Sequence, residues 1–442
     1  MSPAPVSPGP VSPEQPGLGT DSFIGEEHGG AAAPSVRSGA RVTDPLTLPC
    51  GVTLPNRLLK GAMSEALGTA GGAPRPELGA LYARWAAGGT GTLVTGNVMV
   101  DRRALGEPGN VVLEDERHLA ELHSWAVRGA PAGTQLWTQL NHPGKQAPRG
   151  LNPGGTVAPS AVPFGPGLER AFATPRALSE REIGDLIDRF ARAARLSQQA
   201  GFTGVQLHAA HGYLLSQFLS PRHNVRTDRW GGNLKGRMRF LLAVYDAVRA
   251  EVGPRFPVSV KLNSSDFVRG GFSEQDSLTV IRALGERGAD LIEISGGTYE
   301  KPMMATGQGE RGGFFAGFSR RAREVAGVPI AVTGGFRDAA SVREALASGA
   351  ADVIGLARPL VLDPDFSARL LRGEEASRRV EPIRSGIASL DRSSLLEVAW
   401  YADALRRLAR GGTPQRNEAP LLAALRVVGE LGVRAAVMRR RA

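Results

Sequence analysis

Ile330-Ala-Val-Thr-Gly-Gly-Phe-Arg-Asp-Ala-Ala-Ser-Val-Arg-Glu-Ala-Leu-Ala-Ser-Gly-Ala-Ala-Asp-Val-Ile-Gly-Leu356 contains one full repeat of the architecture. Two short apolar runs, Ile330–Thr333 and Val353–Leu356, flank an amphipathic segment, Ala339–Ala347. Runs that are apolar nearly throughout suit strands covered on both faces, the environment of a parallel sheet. Parallel neighbours need a crossover between them, and the helix supplies it.

The same alternation extends upstream from about residue 42. The runs Leu58–Met63, Thr92–Val98, Gln135–Leu140, Gly204–His208, Val258–Leu262 and Leu291–Ser295 complete a set of eight candidate strands. Amphipathic stretches lie between several of them: Ser179–Ala200, Gly236–Val252 and Ser273–Arg287. Ser179 followed three residues later by Glu182 is a capping-box pattern. Eight such units predict a single (β/α)8 TIM barrel rather than a doubly wound sheet. No G-x-G-x-x-G follows a strand and opens a helix, as a Rossmann domain would require.

The flanks read differently. Residues 1–40 are rich in Pro, Gly, Ala and Ser without hydrophobic period, and are expected to be a disordered N-terminal tail. The barrel is expected over residues 41–380. Residues 381–442 are expected to form a helical C-terminal extension, including Ser394–Arg410 and Pro420–Arg439, whose apolar positions serve packing rather than a site.

Composition narrows the function classes. The chain has 442 residues, 42 % hydrophobic and 22 % charged, as in an ordinary globular protein. No apolar stretch is long enough to cross a bilayer. Cys50 is the one cysteine, which excludes an internal disulfide framework, a Cys-rich zinc site and a Cys-ligated iron–sulfur cluster within this chain. The N-terminus has neither an apolar signal core nor an Arg-rich transit pattern, and the expected location is cytoplasmic. Net charge is +10, and residues 381–442 hold 11 arginines against 6 acids. That mild clustering reads as a solvated face, with no nucleic-acid or membrane partner expected.

Polar residues gather where the strands end: Ser64 and Glu65, Asn97, Gln139 with Asn141 and His142, His208 with His211, Lys261 with Asn263, Ser295, Thr333 and Arg358. Active sites of TIM barrels occupy that rim. The densest cluster is His208-Ala-Ala-His211-Gly-Tyr213. Two imidazoles facing one cavity can donate hydrogen bonds to a carbonyl or nitro oxygen, and a tyrosine beside them can supply a proton. A metal site is the competing reading, but H-E-x-x-H lacks its Glu here and no third ligand is evident. The bland alternative is three side chains satisfied by backbone at a strand end. Gly334-Gly335 after the seventh strand and Ala357-Arg358 after the eighth stand where barrels often hold a phosphate, although Gly-Gly is also a common turn. Lys261 lies mid-strand among apolar residues, where it would either face an anionic ring or snorkel to the rim.

Across residues 42–375 the chain resembles the Old Yellow Enzyme family of NAD(P)H:flavin oxidoreductases. The resemblance rests on His208-Ala-Ala-His-Gly-Tyr-Leu-Leu-Ser-Gln-Phe-Leu-Ser-Pro221, Asn224-Val-Arg-Thr-Asp-Arg-Trp-Gly-Gly-Asn233 and Arg237-Met-Arg-Phe240. Leu54-Pro-Asn-Arg57, Gln139-Leu-Asn-His-Pro-Gly144, Thr333-Gly-Gly-Phe336 and Gly355-Leu-Ala-Arg358 match in the same order. It implies FMN across the barrel mouth, with Ala62, Met63 and Ser64 lining the ring and Gly96 and Gln139 in contact with it. Lys261 would sit at the pyrimidine side, and Gly334, Gly335, Ala357 and Arg358 at the phosphate. It further implies that His208 and His211 bind the substrate's electron-withdrawing group and that Tyr213 is the proton donor. NADH or NADPH would reduce FMN first, in the same pocket, followed by reduction of an activated C=C bond on a small molecule in ping-pong turnover.

The chain departs from the family pattern in places. Ala62 stands where Pro is common, Ser64 where Thr or Cys is common, and Lys261 where Arg is common. Glu65 brings a charge beside the site, Ala66 offers no aromatic lid, and Lys235-Gly236 replaces Glu-Asn. An FMN-dependent oxidase or demethylase is the alternative within enzymes. A nucleic-acid-associated flavoprotein and a scaffold without catalysis are the other classes weighed, and a homo-oligomer remains open.

Overall fold

The computed structural model describes residues 39–384, apart from 132, 166–167, 302 and 304–314, together with 394–413 and positions 1, 420–422, 425 and 429. The tail expected over residues 1–40 lies almost wholly outside the described residues, as does most of the helix expected over Pro420–Arg439.

Eight strands form the barrel: β1 (Leu58–Lys60), β2 (Thr92–Met99), β3 (Gln135–Asn141), β4 (Gly204–Ala209), β5 (Val258–Asn263), β6 (Leu291–Ser295), β7 (Ile330–Thr333) and β8 (Val353–Leu356). Each pairs in parallel with the next. β8 then pairs with β1, Ile354 opposite Leu58, so the sheet closes on itself. The helices α1 (Pro76–Ala87), α2 (Leu119–Gly129), α3 (Glu180–Gln199), α4 (Arg239–Val252), α5 (Glu274–Gly285), α6 (Ala316–Ala326) and α7 (Ala339–Ala347) carry the chain between strands. Both halves of the Ser179/Glu182 capping box are present at α3, and Ser273/Asp276 forms another at α5.

The ends of the predicted elements shift for physical reasons. The first strand stops at Lys60 rather than Met63, because the segment after it leaves the ladder to become cavity wall. The helix expected over Gly236–Val252 breaks at Met238 into Leu234–Arg237, capped by the Asn233 side chain, and α4.

Side chains of a strand alternate between faces, so residues two apart share the barrel interior. The first inward layer is apolar: Leu59, Val94, Trp137, Leu291, Ala331 and Val353. Leu48 and Leu54, from an N-terminal hairpin pairing Leu46–Thr47 with Thr53–Leu54, join this cluster and seal that end of the barrel. Trp137 fits because β4 begins with glycine: a Cβ on Gly204 would fall 2.5 Å from the indole Cδ1. Two residues further along, the interior turns polar, with Gln139, Gln206, Glu293 and Thr333.

After β8 the chain forms the short helix Arg358–Leu362, then α8 (Phe366–Leu371) and the helix α9 (Ser394–Ala409). α9 packs on α1 and on the Arg358–Leu362 turn, burying Trp400, Leu405 and Leu408.

Truncating the barrel floor should be costly. Trp137→Ala removes a fully buried side chain and is expected to lower unfolding free energy by about 3–5 kcal/mol. Gly204→Ala, which forces a methyl into the indole, should cost about 1–3 kcal/mol. Urea denaturation of the purified variants measures both. Wild-type midpoints would mean that Trp137 does not fill the floor.

Candidate active site

The barrel opens at the C-terminal ends of its strands into a cavity of about 260 Å³. Ala62, Met63 and Ser64 form one wall. Gln139 and Lys261 reach it from the barrel interior. His208, His211 and Tyr213 face it from β4 and the turn that follows. Gly334, Gly335, Ala357 and Arg358 bound its far end. The structure thus brings together every residue singled out as catalytic or cofactor-binding except Gly96.

Lys261 does not snorkel. Its Nζ lies 2.9 Å from Glu293 Oε1, and the two side chains are 3 % and 0 % exposed. Glu293 also accepts hydrogen bonds from Thr333 Oγ1 at 2.7 Å and Gln206 Nε2 at 2.8 Å, while Gln139 Nε2 donates to Gln206 Oε1 at 2.7 Å. Burial alone would push the Glu293 carboxyl up. Lys261 and these donors outweigh it and hold the group below its ordinary value. Glu293 was overlooked in the sequence, although an acid inside the apolar run Leu291-Ile-Glu-Ile-Ser295 is itself a signal that it is paired.

The histidines are set individually. His208 Nδ1 accepts from the Ala210 N–H at 3.3 Å, which leaves Nε2 as the N–H donor of the neutral ring. His211 Nε2 meets Ser295 Oγ at 2.8 Å, and its backbone N–H donates to Asn263 Oδ1 at 3.0 Å. That backbone bond holds His211 at φ 60°, the left-handed region that side chains with a Cβ rarely enter. The two rings lie 5.1 Å apart, and the His208 and Tyr213 rings 4.7 Å apart. Burial drives both imidazoles well below their ordinary pKa, with Lys261 adding to the effect, so both are neutral. His142, the third rim histidine, does not line the cavity. Its Nδ1 accepts from Gly144 N–H at 3.0 Å, and burial lowers its pKa to about 4.

Tyr213 stays protonated: burial, then the Glu107 charge, raises its pKa. Asn97 Nδ2 donates to its oxygen at 3.3 Å, and the Tyr299 hydroxyl lies 3.4 Å away. Tyr299 and Glu107 line the cavity and were not anticipated. Glu107 is bonded to Ser64 Oγ and to Asn110 Nδ2 at 3.1 Å. The segment bearing Tyr299 is tied down by its neighbour. Glu300 Oε2 lies 3.5 Å from His223 Nε2, and His223 Nδ1 lies 3.0 Å from Lys145 Nζ.

Gly96 and Glu65 turn away from the cavity. Glu65 accepts from Gly96 N–H at 2.9 Å and from the Tyr82 hydroxyl, and pairs with buried Lys60 at 3.7 Å. A Cβ on Gly96 would fall 1.9 Å from Glu65 Oε2. Gly96 therefore makes room for the carboxylate that props the Ala62–Ser64 wall, and Glu65 brings no charge into the site. Lys60 is pushed down to about 8 by burial, with Glu65 acting against that shift.

At the far end, Gly334 and Gly335 adopt φ of 130° and 90°, which side chains with a Cβ disfavour. A Cβ on Gly355 would fall 1.7 Å from Thr333 Oγ1. Arg337 and Arg358 share this end, and Arg358 Nη1 meets Glu397 Oε1 of α9 at 2.5 Å. Tyr401 of α9 also lines the cavity, while the apolar positions Trp400, Leu405 and Leu408 of the same helix pack as expected. These groups suit a flavin mononucleotide: an apolar wall beside an aromatic ring, a buried ammonium for its electron-rich edge, and glycines with two guanidiniums for a phosphate. Among the described residues, no group of three His, Cys, Asp or Glu could hold a metal ion.

The imidazoles make a pH prediction. An unfolded chain takes up a proton on each histidine near 6.5, whereas the folded protein keeps His142 neutral to about 4 and His223 to about 3. Between those limits the folded state binds fewer protons, so stability should fall as pH drops below about 6.5. Urea midpoints at pH 7.5, 6 and 5 test this. In parallel, NMR should show the His208 and His211 rings neutral throughout, and a ring titrating near 6.5 would contradict the buried geometry.

The model of the NADH:flavin oxidoreductase / NADH oxidase family matches residues 42–376. The chain is 39 % identical to the NADH-dependent flavin oxidoreductase iliE of Hypocrea jecorina, over 72 % of this chain and 86 % of that one. It is 38 % identical to the NADH-dependent flavin oxidoreductase iccE of Talaromyces variabilis, over 83 % and 98 %. The solved old yellow enzyme homologue from Zymomonas mobilis superposes with a TM-score of 0.68, covering 77 % of this chain and 95 % of that one at 24 % identity, a likeness of fold. The barrel, the cavity and these matches lead to one conclusion: the chain belongs to the NADH:flavin oxidoreductase / NADH oxidase family, that of Old Yellow Enzyme, and is an FMN-dependent NAD(P)H oxidoreductase.

Proposed function

We propose that this oxidoreductase reduces C=C bonds conjugated to a carbonyl or nitro group on a small molecule. The observation that carries the reading is the trio His208, His211 and Tyr213, packed ring against ring on one wall of a cavity that Lys261 also reaches. The hydride would come from bound FMN, with NADH or NADPH as the reductant.

The chain's own residues do the rest. Lys261 would hold positive charge against the flavin's pyrimidine edge, and the Glu293 pair keeps that ammonium in place. Arg358, Gly334 and Gly335 would hold the phosphate. His208, with Nδ1 occupied, presents Nε2–H to the substrate oxygen. His211, oriented by Ser295, flanks the same position. Neutral imidazoles donate without adding cations beside Lys261, and withdrawal of electron density toward the bound oxygen activates the distant alkene carbon. Tyr213, kept protonated, delivers its proton to the carbon alpha to the activating group, and the tyrosinate oxygen is stabilised by Asn97 Nδ2. The small cavity supports a small-molecule partner, and dependence on nicotinamide nucleotides supports action in the cytoplasm.

Tyr213→Phe separates this reading from oxidation of a substrate with electrons passed to oxygen. In stopped-flow measurements, reduction of the bound flavin by NADH should keep its wild-type rate. Reoxidation by 2-cyclohexenone should slow by about 10²–10⁴-fold. An unchanged reoxidation rate would remove Tyr213 as the donor, and failure of the wild-type protein to turn over any activated alkene would remove ene-reduction.

A further inference from the structure

The helix α9 lies beyond the residues that the family model matches, yet it forms part of the cavity. Two of its side chains, Glu397 and Tyr401, are one helical turn apart and point to the phosphate end. Glu397 meets Arg358, the residue placed to hold the phosphate, in a half-buried charge pair at 2.5 Å. Arg337 lines the same end, so two guanidiniums share it. The helix is anchored away from this contact by buried Trp400, Leu405 and Leu408, and by Arg406 Nη2 donating to Ala66 O at 3.4 Å.

We propose that α9 is a strap over the phosphate end of the cofactor site, and that Glu397 is a positioning residue that orients Arg358 for the FMN phosphate. The proposal rests on this cavity holding FMN. A guanidinium is a planar fork of five N–H donors, so one edge can engage a carboxylate while another faces a phosphate. Arg358 is a long side chain with rotamer freedom to lose. Held by Glu397, it meets the phosphate already ordered. Arg337 and Arg358 offset the negative charge that Glu397 and a phosphate bring together. Linkage makes the effect reciprocal: if a docked α9 strengthens phosphate binding, bound phosphate strengthens the docking of α9 by the same factor.

Riboflavin, which has the ring but no phosphate, isolates the contribution. Apoprotein prepared from the purified holoenzyme is titrated with FMN and with riboflavin, following quenching of flavin fluorescence. Glu397→Gln should weaken FMN about tenfold, the scale of one charge-assisted hydrogen bond, and leave riboflavin unchanged. In the wild-type chain, hydrogen exchange over residues 394–409 should slow with FMN and not with riboflavin, a readout that needs no variant. Equal weakening of both ligands would reduce Glu397 to wall packing and overturn the proposal. Tighter FMN binding would show that the carboxylate competes with phosphate, and would also overturn it. Wild-type apoprotein that binds neither flavin would remove the cofactor reading itself, whereas FMN binding with no change in Glu397→Gln and no protection of α9 would remove the strap alone.

Discussion

A carboxylate with no exposed surface, sitting inside a barrel, constrains most of what surrounds it. Moving such an ion out of water costs several kcal/mol unless partners replace the lost hydration. Glu293 has Lys261, Thr333 and Gln206 as partners, and Gln206 is in turn fixed by Gln139. Five strands, β3 to β7, therefore commit inward positions to one polar layer. Beneath it, the apolar floor closed by the N-terminal hairpin keeps water from the lower side. Above it, the ammonium of Lys261 is delivered to the cavity at a fixed height. The active site is built on this layer rather than on the loops alone.

The layer also decides the chemistry of its neighbours. A buried cation at Lys261 depresses the nearby imidazoles further than burial alone would, so both are hydrogen-bond donors without charge. Tyr213 is moved in the opposite sense, toward keeping its proton. The proposed reduction, which binds a polarised oxygen and then delivers a proton, would use these two tendencies side by side. A second charge pair, Lys60 with Glu65, does comparable structural work behind the Ala62–Ser64 wall, where Tyr82 and Gly96 complete the carboxylate's bonds.

Much of this was legible in the sequence. Strands buried on both faces are mostly apolar, which bounds Leu291–Ser295, Ile330–Thr333 and Val353–Leu356 to the residue even though Glu293 and Thr333 interrupt the pattern. The same logic misled at Ala62-Met63, whose apolar character serves a cavity wall and not a strand. Gly96 was assigned to the flavin by resemblance, but whether a glycine makes room for a ligand or for a neighbouring side chain depends on tertiary contacts. Glu65 was misplaced for the same reason. Glu397 and Tyr401 carried no readable sign, because the periodicity of an amphipathic helix does not say which end of the barrel it will meet. Tyr299 and Glu107 lie on connections between elements, where pattern is weakest.

The left-handed backbone at His211 bears on how this site can change by single mutations. Most residues with a Cβ would have to pay for φ 60° with strain, whatever their side chain offered the substrate. Asn and Asp tolerate that conformation best after glycine, and each is one nucleotide from a His codon. Asn also keeps a neutral donor at this place, whereas Asp would bring a buried negative charge. The accessible routes of divergence at this position are thus filtered by the main chain before chemistry is consulted, and they converge on an amide. His208, on a regular strand, carries no such filter, so two histidines with neighbouring tasks face unequal evolutionary latitude.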